Sequence, residues 1–418
     1  MATAAATTAA TDLELELARL FSGDVESLAG QFEIYERLRA HGSVLEVNGD
    51  LILTGHGDVR AVLGNPVTFS SARDRSIYGG DIDDLSPAQL AKLHELAGFE
   101  SGWMNDNDDP VHANMRGLIQ FAFTPRRVAQ MRETIQSFVD ELLTPVDERG
   151  EMELVRDLAH PLPLNVICDL LGIGRDRNAE IRAWSDELAV AFDTGHANLD
   201  AAYDAYLGFR GLIHELIEHR RDGGDTTDLF GALLNGSPDG TGLSEEQLTG
   251  MLVLLLFAGH ETTTNLIGNS IIALLNNREQ FDRLRDDPSL AAGAVNEFLR
   301  HNGSVQSVRR VAVTDAEAGG VPVARGRSVR MLLACANRDP LVFTDPERLD
   351  ITRSDAAQHV TLGYGIHRCL GAWLARLETE VAVSTLVSRY PAMQLTQAPE
   401  MRPMYTMYGP KSVHLQLF

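Results

Sequence analysis

The sequence predicts a mainly α-helical single domain with a minor β part, built around one long central helix. Three observations predict it. Much of the 418-residue chain falls into stretches with helical apolar spacing. One of them, LTGMLVLLLFAGHETTTNLIGNSIIALL, is apolar on all sides in its first half and must be buried on all sides. Strand-like alternation is confined to a few short pieces.

From the amino end, MATAAATTAATDLELELARLF has no Lys or Arg ahead of its small residues and no apolar run of membrane-spanning length, so it reads as neither signal peptide nor anchor. Residues 1–20 are assigned to a flexible tail and 21–418 to one domain; Asp12 to Leu20 nevertheless carries heptad-like spacing. In SVLEVNGDLILTG, alternating apolar residues flank Asn48-Gly49-Asp50 and mark a hairpin. In NDDPVHANMRGLIQ, Asp109-Pro110 opens a helix with His112 and Arg116 four apart on one side, a spacing that suits either an anion clamp or a solvated face. Helices follow over Val128 to Leu143, Ala179 to Val190 and Ala201 to Ile217.

The central helix starts at Ser244, where Ser244 and Gln247 stand in capping-box spacing, and runs to about Leu275, roughly 45 Å at 1.5 Å per residue. Its middle, AGHETTT, places Glu261 beside Thr262 in the protein interior. A zinc-protease pair fails because position 264 is Thr264 rather than histidine. A helix kink would explain Gly259 and the threonines but not the acid. SLAAGAVNEFLRHNG is a further helix with Glu297 and Arg300 three apart, extended pieces follow Arg309, and a last helix covers Leu370 to about Ser388.

Composition excludes several classes. The balance of 36 Lys and Arg against 59 Asp and Glu, a net charge of −23, argues against a nucleic-acid backbone or an anionic membrane as partner. Three cysteines, Cys168, Cys335 and Cys369, far apart, suit a reducing cytoplasm and no disulfide scaffold. Two sit in apolar runs, whereas Cys369 lies in LGYGIHRCLG, among glycines, a histidine and an arginine. His367 is awkwardly close to serve as base for a nucleophilic thiol, and no second cysteine or spaced histidine pair completes a zinc site. A single thiolate at a helix start remains, its charge favoured by the helix dipole and free N–H groups; that suits the axial ligand of a haem iron.

With these residues assembled, the chain resembles the cytochrome P450 family of haem-thiolate monooxygenases, particularly its soluble bacterial members. The resemblance runs over roughly residues 30–418 and rests on the His112 to Arg116 segment, AGHETT, EFLR, ANRDP and GYGIHRCLG in that order. It implies haem b with Cys369 as the iron ligand, Leu362, Gly363, Gly365 and Gly371 around it, and His112, Arg116, Arg310 and His367 on the propionates. Arg310 fits better than Arg309 by its spacing to Asp315. Ala258 and Gly259 would lie over the distal face, with Glu261 and Thr262 as an acid-alcohol pair that delivers protons; Glu297 and Arg300 would be structural. The pair implies use of O2 and external electrons, from a separate ferredoxin or flavodoxin with its reductase, docked near Arg368, Arg126 and Arg127.

The implied reaction is insertion of one oxygen atom into a small, mostly apolar substrate, by hydroxylation or oxidative dealkylation, in the cytoplasm and without nucleic acid or membrane. Leu254, Ala258, Val305, Gln306 and Ser307 are the expected substrate contacts. One departure stands out: the family usually has Phe where this chain has Leu362, which implies altered redox tuning. A non-catalytic haem-thiolate sensor or scaffold is the rival, and a cysteine hydrolase a distant third; neither explains why Glu261 stands next to Thr262.

Overall fold

A computed structural model of the chain describes residues 2–72, 85–100, 102–223, 228–236 and 242–418. Helix α1 (Ala2–Phe21) does not end in a loose segment at residue 20. Leu13, Leu17 and Leu20 fall on one helical face and are buried against Tyr35, Leu38 and Tyr405, so the expected tail boundary is too late. The spacing visible in Asp12 to Leu20 is the physical cause.

The Asn-Gly turn forms as expected. Asn48 and Gly49 both have positive φ, 51° and 83°, which matches the twist of an antiparallel pair. They join β1 (Val44–Val47) to β2 (Asp50–Leu53), with Val47 opposite Asp50. Strands β3 (Phe69–Ser70), β4 (Ser307–Ala312) and β5 (Ser328–Leu332) complete a five-stranded sheet in the order β1-β2-β5-β4-β3. Only β2 and β5 are parallel. Arg309 and Arg330 are cross-strand partners, and both ion-pair with Asp50 on the neighbouring strand.

The helices that position the site are α2 (Val111–Ile119), α3 (Asn178–Thr194), α4 (Glu245–Asn276), α5 (Ala291–Asn302) and α6 (Ala372–Arg389). The capping box at the start of α4 is complete: the Gln247 N–H donates to Ser244 Oγ at 3.1 Å and the Ser244 N–H to Gln247 Oε1 at 3.1 Å. From Leu248 to Phe257 every residue of α4 is buried. The helix expected from Val128 starts earlier, at Pro125, and is interrupted at Met131.

A buried polar frame fixes the chain ahead of Cys369. Arg300 Nε and Nη2 donate to Glu297 at 2.6 and 2.7 Å, both side chains wholly buried, and Arg300 also donates to the carbonyls of Asn337, Pro346 and Arg348. Asn337 then donates to Thr361 Oγ1 at 2.7 Å and accepts the Val360 N–H at 2.8 Å. Every polar group in this chain of contacts tethers a loop, which is how a buried ion pair becomes a structural clamp.

Candidate active site at the cysteine loop

The Cys369 loop is shaped by backbone before side chains. Gly363 and Gly365 take φ of 71° and 74°, a region that strongly favours glycine. At Gly365 a Cβ would also come within 2.7 Å of the Leu63 carbonyl oxygen. The Cys369 N–H donates to the Leu362 carbonyl at 2.7 Å, closing the loop just before α6. Leu362 itself packs against the main core. Among the described residues Leu362, Gly363 and Gly365 shape the loop but do not line the cavity beyond it, whereas Gly371 does. A Cβ on Gly371 would meet no protein atom within 4 Å, so its space is open on the cavity side.

That cavity has a volume of about 1030 Å³ and is lined by Cys369 at one wall and by Leu254, Ala258, Gly259 and Thr262 of α4 at another. Gly259 is small for a packing reason as well, since a Cβ there would press within 2.9 Å of the Ile167 side chain. Thr262 Oγ1 donates to the Ala258 carbonyl at 3.0 Å. Glu261 stands behind this wall, wholly buried, and does not reach the cavity. Its Oε1 accepts from Asn265 Nδ2 at 3.2 Å and ion-pairs with Arg402, which also reaches Asp186 of α3 at 3.3 Å. Glu261 Oε2 has no hydrogen-bond partner among the described residues.

Four cationic or titratable side chains gather at the cavity beside the cysteine loop: His112 and Arg116 of α2, Arg310 of β4 and His367. The two histidine rings lie 4.3 Å apart between centroids. Asp109 Oδ1 is 3.1 Å from His112 Nδ1, and Ser71 Oγ is 2.9 Å from His367 Nε2. His112 Nε2 and His367 Nδ1 are buried without a hydrogen-bond partner among the described residues. Burial, with Arg310 and His112 adding to it, pushes His367 down to about 4. Orphaned nitrogens inside a ring of cations fit anionic acceptors such as paired carboxylates.

Burial pushes the Cys369 thiol up from its ordinary value, while the Gly371 N–H and Arg116, Arg376 and Arg368 pull the other way. Desolvation thus opposes the N–H and guanidinium groups that favour a thiolate at this helix start. A metal cation at the sulfur would supply the missing charge. Among the described residues no group of three or more His, Cys, Asp and Glu could hold a bare ion. A lone sulfur, an open glycine and a cationic rim for two carboxylates together fit an iron porphyrin.

Of the expected substrate contacts, Leu254, Ala258, Val305 and Ser307 line the cavity. Gln306 does not: it is wholly buried, its Nε2 donating to the Gly303 carbonyl at 2.6 Å and its Oε1 accepting from Tyr35 at 3.2 Å. Successive residues of an extended segment alternate faces, so Val305 and Ser307 put Gln306 on the other side. Arg402, Ser71 and Asp193 were not singled out by the sequence. A lone arginine in APEMRPMYTMY, an otherwise apolar stretch, was the available signal for the first.

The comparisons agree. Residues 288–410 match the family model described as Cytochrome P450. Cytochrome P450 monooxygenase PikC of Streptomyces venezuelae is 37% identical over 89% of this chain and 86% of its own. The 6-deoxyerythronolide B hydroxylase of Saccharopolyspora erythraea is 36% identical over 82% of this chain and 83% of its own. The solved structure of CYP164A2 from Mycobacterium smegmatis superposes with a TM-score of 0.85 at 32% identity, covering 96% of this chain and 100% of that one. Among the described residues no helix is long and apolar enough to cross a membrane. With a family-wide fold and its cysteine loop, cationic rim and acid-alcohol helix in place, the chain belongs to the cytochrome P450 family and is one of its monooxygenases.

Proposed function

We propose that the protein carries haem b with Cys369 as the iron ligand and uses it to hydroxylate, or oxidatively dealkylate, a small and mostly apolar substrate. The observation that carries this reading is a single cavity that Cys369 and Thr262 both line, beside a cationic cluster of His112, Arg116, Arg310 and His367. When bound, the haem supplies the redox chemistry of oxygen activation, with the thiolate pushing electron density toward O–O cleavage.

The chain's own residues do the rest. Arg116 and Arg310 neutralise the propionates, His112 and His367 hydrogen-bond to them, and Gly371 leaves room for the ring. Leu362, Gly363 and Gly365 hold the sulfur's backbone without touching the ring from inside the cavity. Ala258 and Gly259 keep the opposite wall low. Thr262 presents its hydroxyl at that wall, and Glu261 behind it passes protons on to Thr262 Oγ1. Arg402 keeps Glu261 in register from the other side. Leu254, Val305 and Ser307 bound the substrate, and apolar walls exclude bulk water. The hydroxylase in the name of the relative from Saccharopolyspora supports oxygen insertion as the reaction.

Electrons come from a separate ferredoxin or flavodoxin. The cysteine loop supports docking of an acidic carrier: Tyr364 and Trp373, which flank Cys369 in the sequence, are exposed, with Arg60 and Arg376 stacked on them. Such arginine and aromatic pairs are the residue types that anchor interfaces. The test is Thr262→Ala in the haem-loaded enzyme with any substrate that shifts its ferric spectrum. Product formed per electron pair should drop sharply while haem content holds; an unchanged ratio would remove Thr262 from proton delivery.

A further inference from the structure

The cavity does not end at the cysteine wall. It continues to a second end bounded by the C-terminal turn of α1, the β1–β2 hairpin and strands β4 and β5. That end carries charge, which an apolar substrate pocket does not need. Arg330 is 8% exposed, lies 4.1 Å from the centroid of the Phe21 ring, and pairs with Asp50 at 3.3 Å; Arg309 turns to the same Asp50 at 3.2 Å. Both guanidinium groups are thus committed to the sheet.

Asp193, in the last turn of α3, is different. Its two oxygens accept the Thr406 N–H at 3.1 and 3.0 Å, with the Thr406 hydroxyl and the Tyr405 N–H contributing as well, and the residue lines the cavity. Among the described residues no Lys or Arg nitrogen makes an ion pair with it. A carboxylate offers about four lone-pair sites, and its donors here are neutral hydroxyl and amide groups, so among the described residues its charge has no cationic partner and is left for whatever enters. Burial pushes its carboxyl up, with Arg330 and the Thr406 contact opposing. A cation brought to such a desolvated carboxylate gains more than at a wet surface. The protein's charge of −23 also favours cations at its openings.

We propose that Asp193 is a substrate-positioning residue that binds a protonated amine, so that the preferred substrates are amine-bearing molecules with an apolar body directed toward Cys369. This rests on the haem-bound reading above. A purely structural Asp193 would tether Thr406 to α3 and be indifferent to ligand charge. Asp193→Asn separates the two, because the amide oxygen can still accept the Thr406 N–H while the charge is gone.

The probes are two series of 1-alkylimidazoles of increasing chain length, one ending in a primary amine and the other in methyl, titrated into the haem-loaded protein and read by the absorbance shift of iron ligation. In the wild type the amine-to-methyl affinity ratio should peak at one chain length, and Asp193→Asn should lower that peak by about tenfold or more while leaving the methyl series within about twofold. A flat ratio across all lengths, or a peak that survives in Asp193→Asn, overturns the assignment. Failure of the protein to take up haem in the loading step overturns the haem reading itself, and this assignment with it.

Discussion

Removing Arg402 should destabilise the fold and impair coupling together, because Glu261 depends on it for charge. The carboxylate is wholly buried and, among the described residues, has two side-chain partners, Arg402 and Asn265, both at Oε1. Arg402→Leu leaves the acid with a single amide donor. Breaking a buried pair by deleting one partner costs about 3–5 kcal/mol. At about 2.1 cal/mol/K of unfolding entropy per residue, the 418-residue chain should melt about 3–6 °C lower. Adding Glu261→Gln removes the stranded charge, so the double variant should recover part of the loss. The assay is thermal unfolding of the haem-loaded wild type, both single variants and the double, with product per electron pair measured alongside. Non-additivity should exceed about 1 kcal/mol, well above the scatter of independent sites. Strict additivity, or an Arg402→Leu protein that melts with the wild type, would mean that Arg402 does not carry the charge of Glu261.

Other consequences follow from particular atoms. Burial holds His160, His359 and His260 down to about 2, 3 and 4. The unfolded chain protonates them near pH 6.5, so each should cost the folded state about 1.4 kcal/mol per pH unit as pH falls from 6.5 toward 4. His160→Gln should flatten the melting temperature against pH in that window, and parallel curves would count against it. Gly371→Leu should fold normally but lose haem, since its side chain would enter only open cavity; Gly365→Ala should instead lower stability through its positive φ and the Leu63 carbonyl. The haem-to-protein ratio and melting temperature of the two variants separate these effects. Gln306→Ala should cost about 1–3 kcal/mol of stability by stranding buried partners yet leave imidazole titrations unchanged; altered ligand affinity at constant stability would restore it to the pocket.

What was legible in the sequence was local. The capping box of α4, the Asn-Gly hairpin and the glycine-framed cysteine each combine residues within a few positions, where periodicity and turn chemistry act directly. The cationic cluster was legible residue by residue, from His112 to His367, because motifs carry it. Long-range pairing was not. Nothing in the spacing ties Arg402 to Glu261 across 141 positions, or Asp193 to Thr406 across 213. Gln306 was misplaced because strand-like alternation gives two faces without saying which one meets the cavity. The residues 1–20 were read by composition as a tail, while their three-leucine face only acquires meaning once Tyr35 and Tyr405 supply a surface to cover.

Carbon monoxide binding to the reduced, haem-loaded protein, compared between wild type and Cys369→Ala, tests most directly whether this sulfur holds the iron. The wild type should give the thiolate-type spectrum with one haem per chain, and Cys369→Ala should lose that spectrum even where some haem remains bound. A thiolate-type spectrum that persists in Cys369→Ala would contradict the assignment of the ligand and, with it, the reading of the whole cavity.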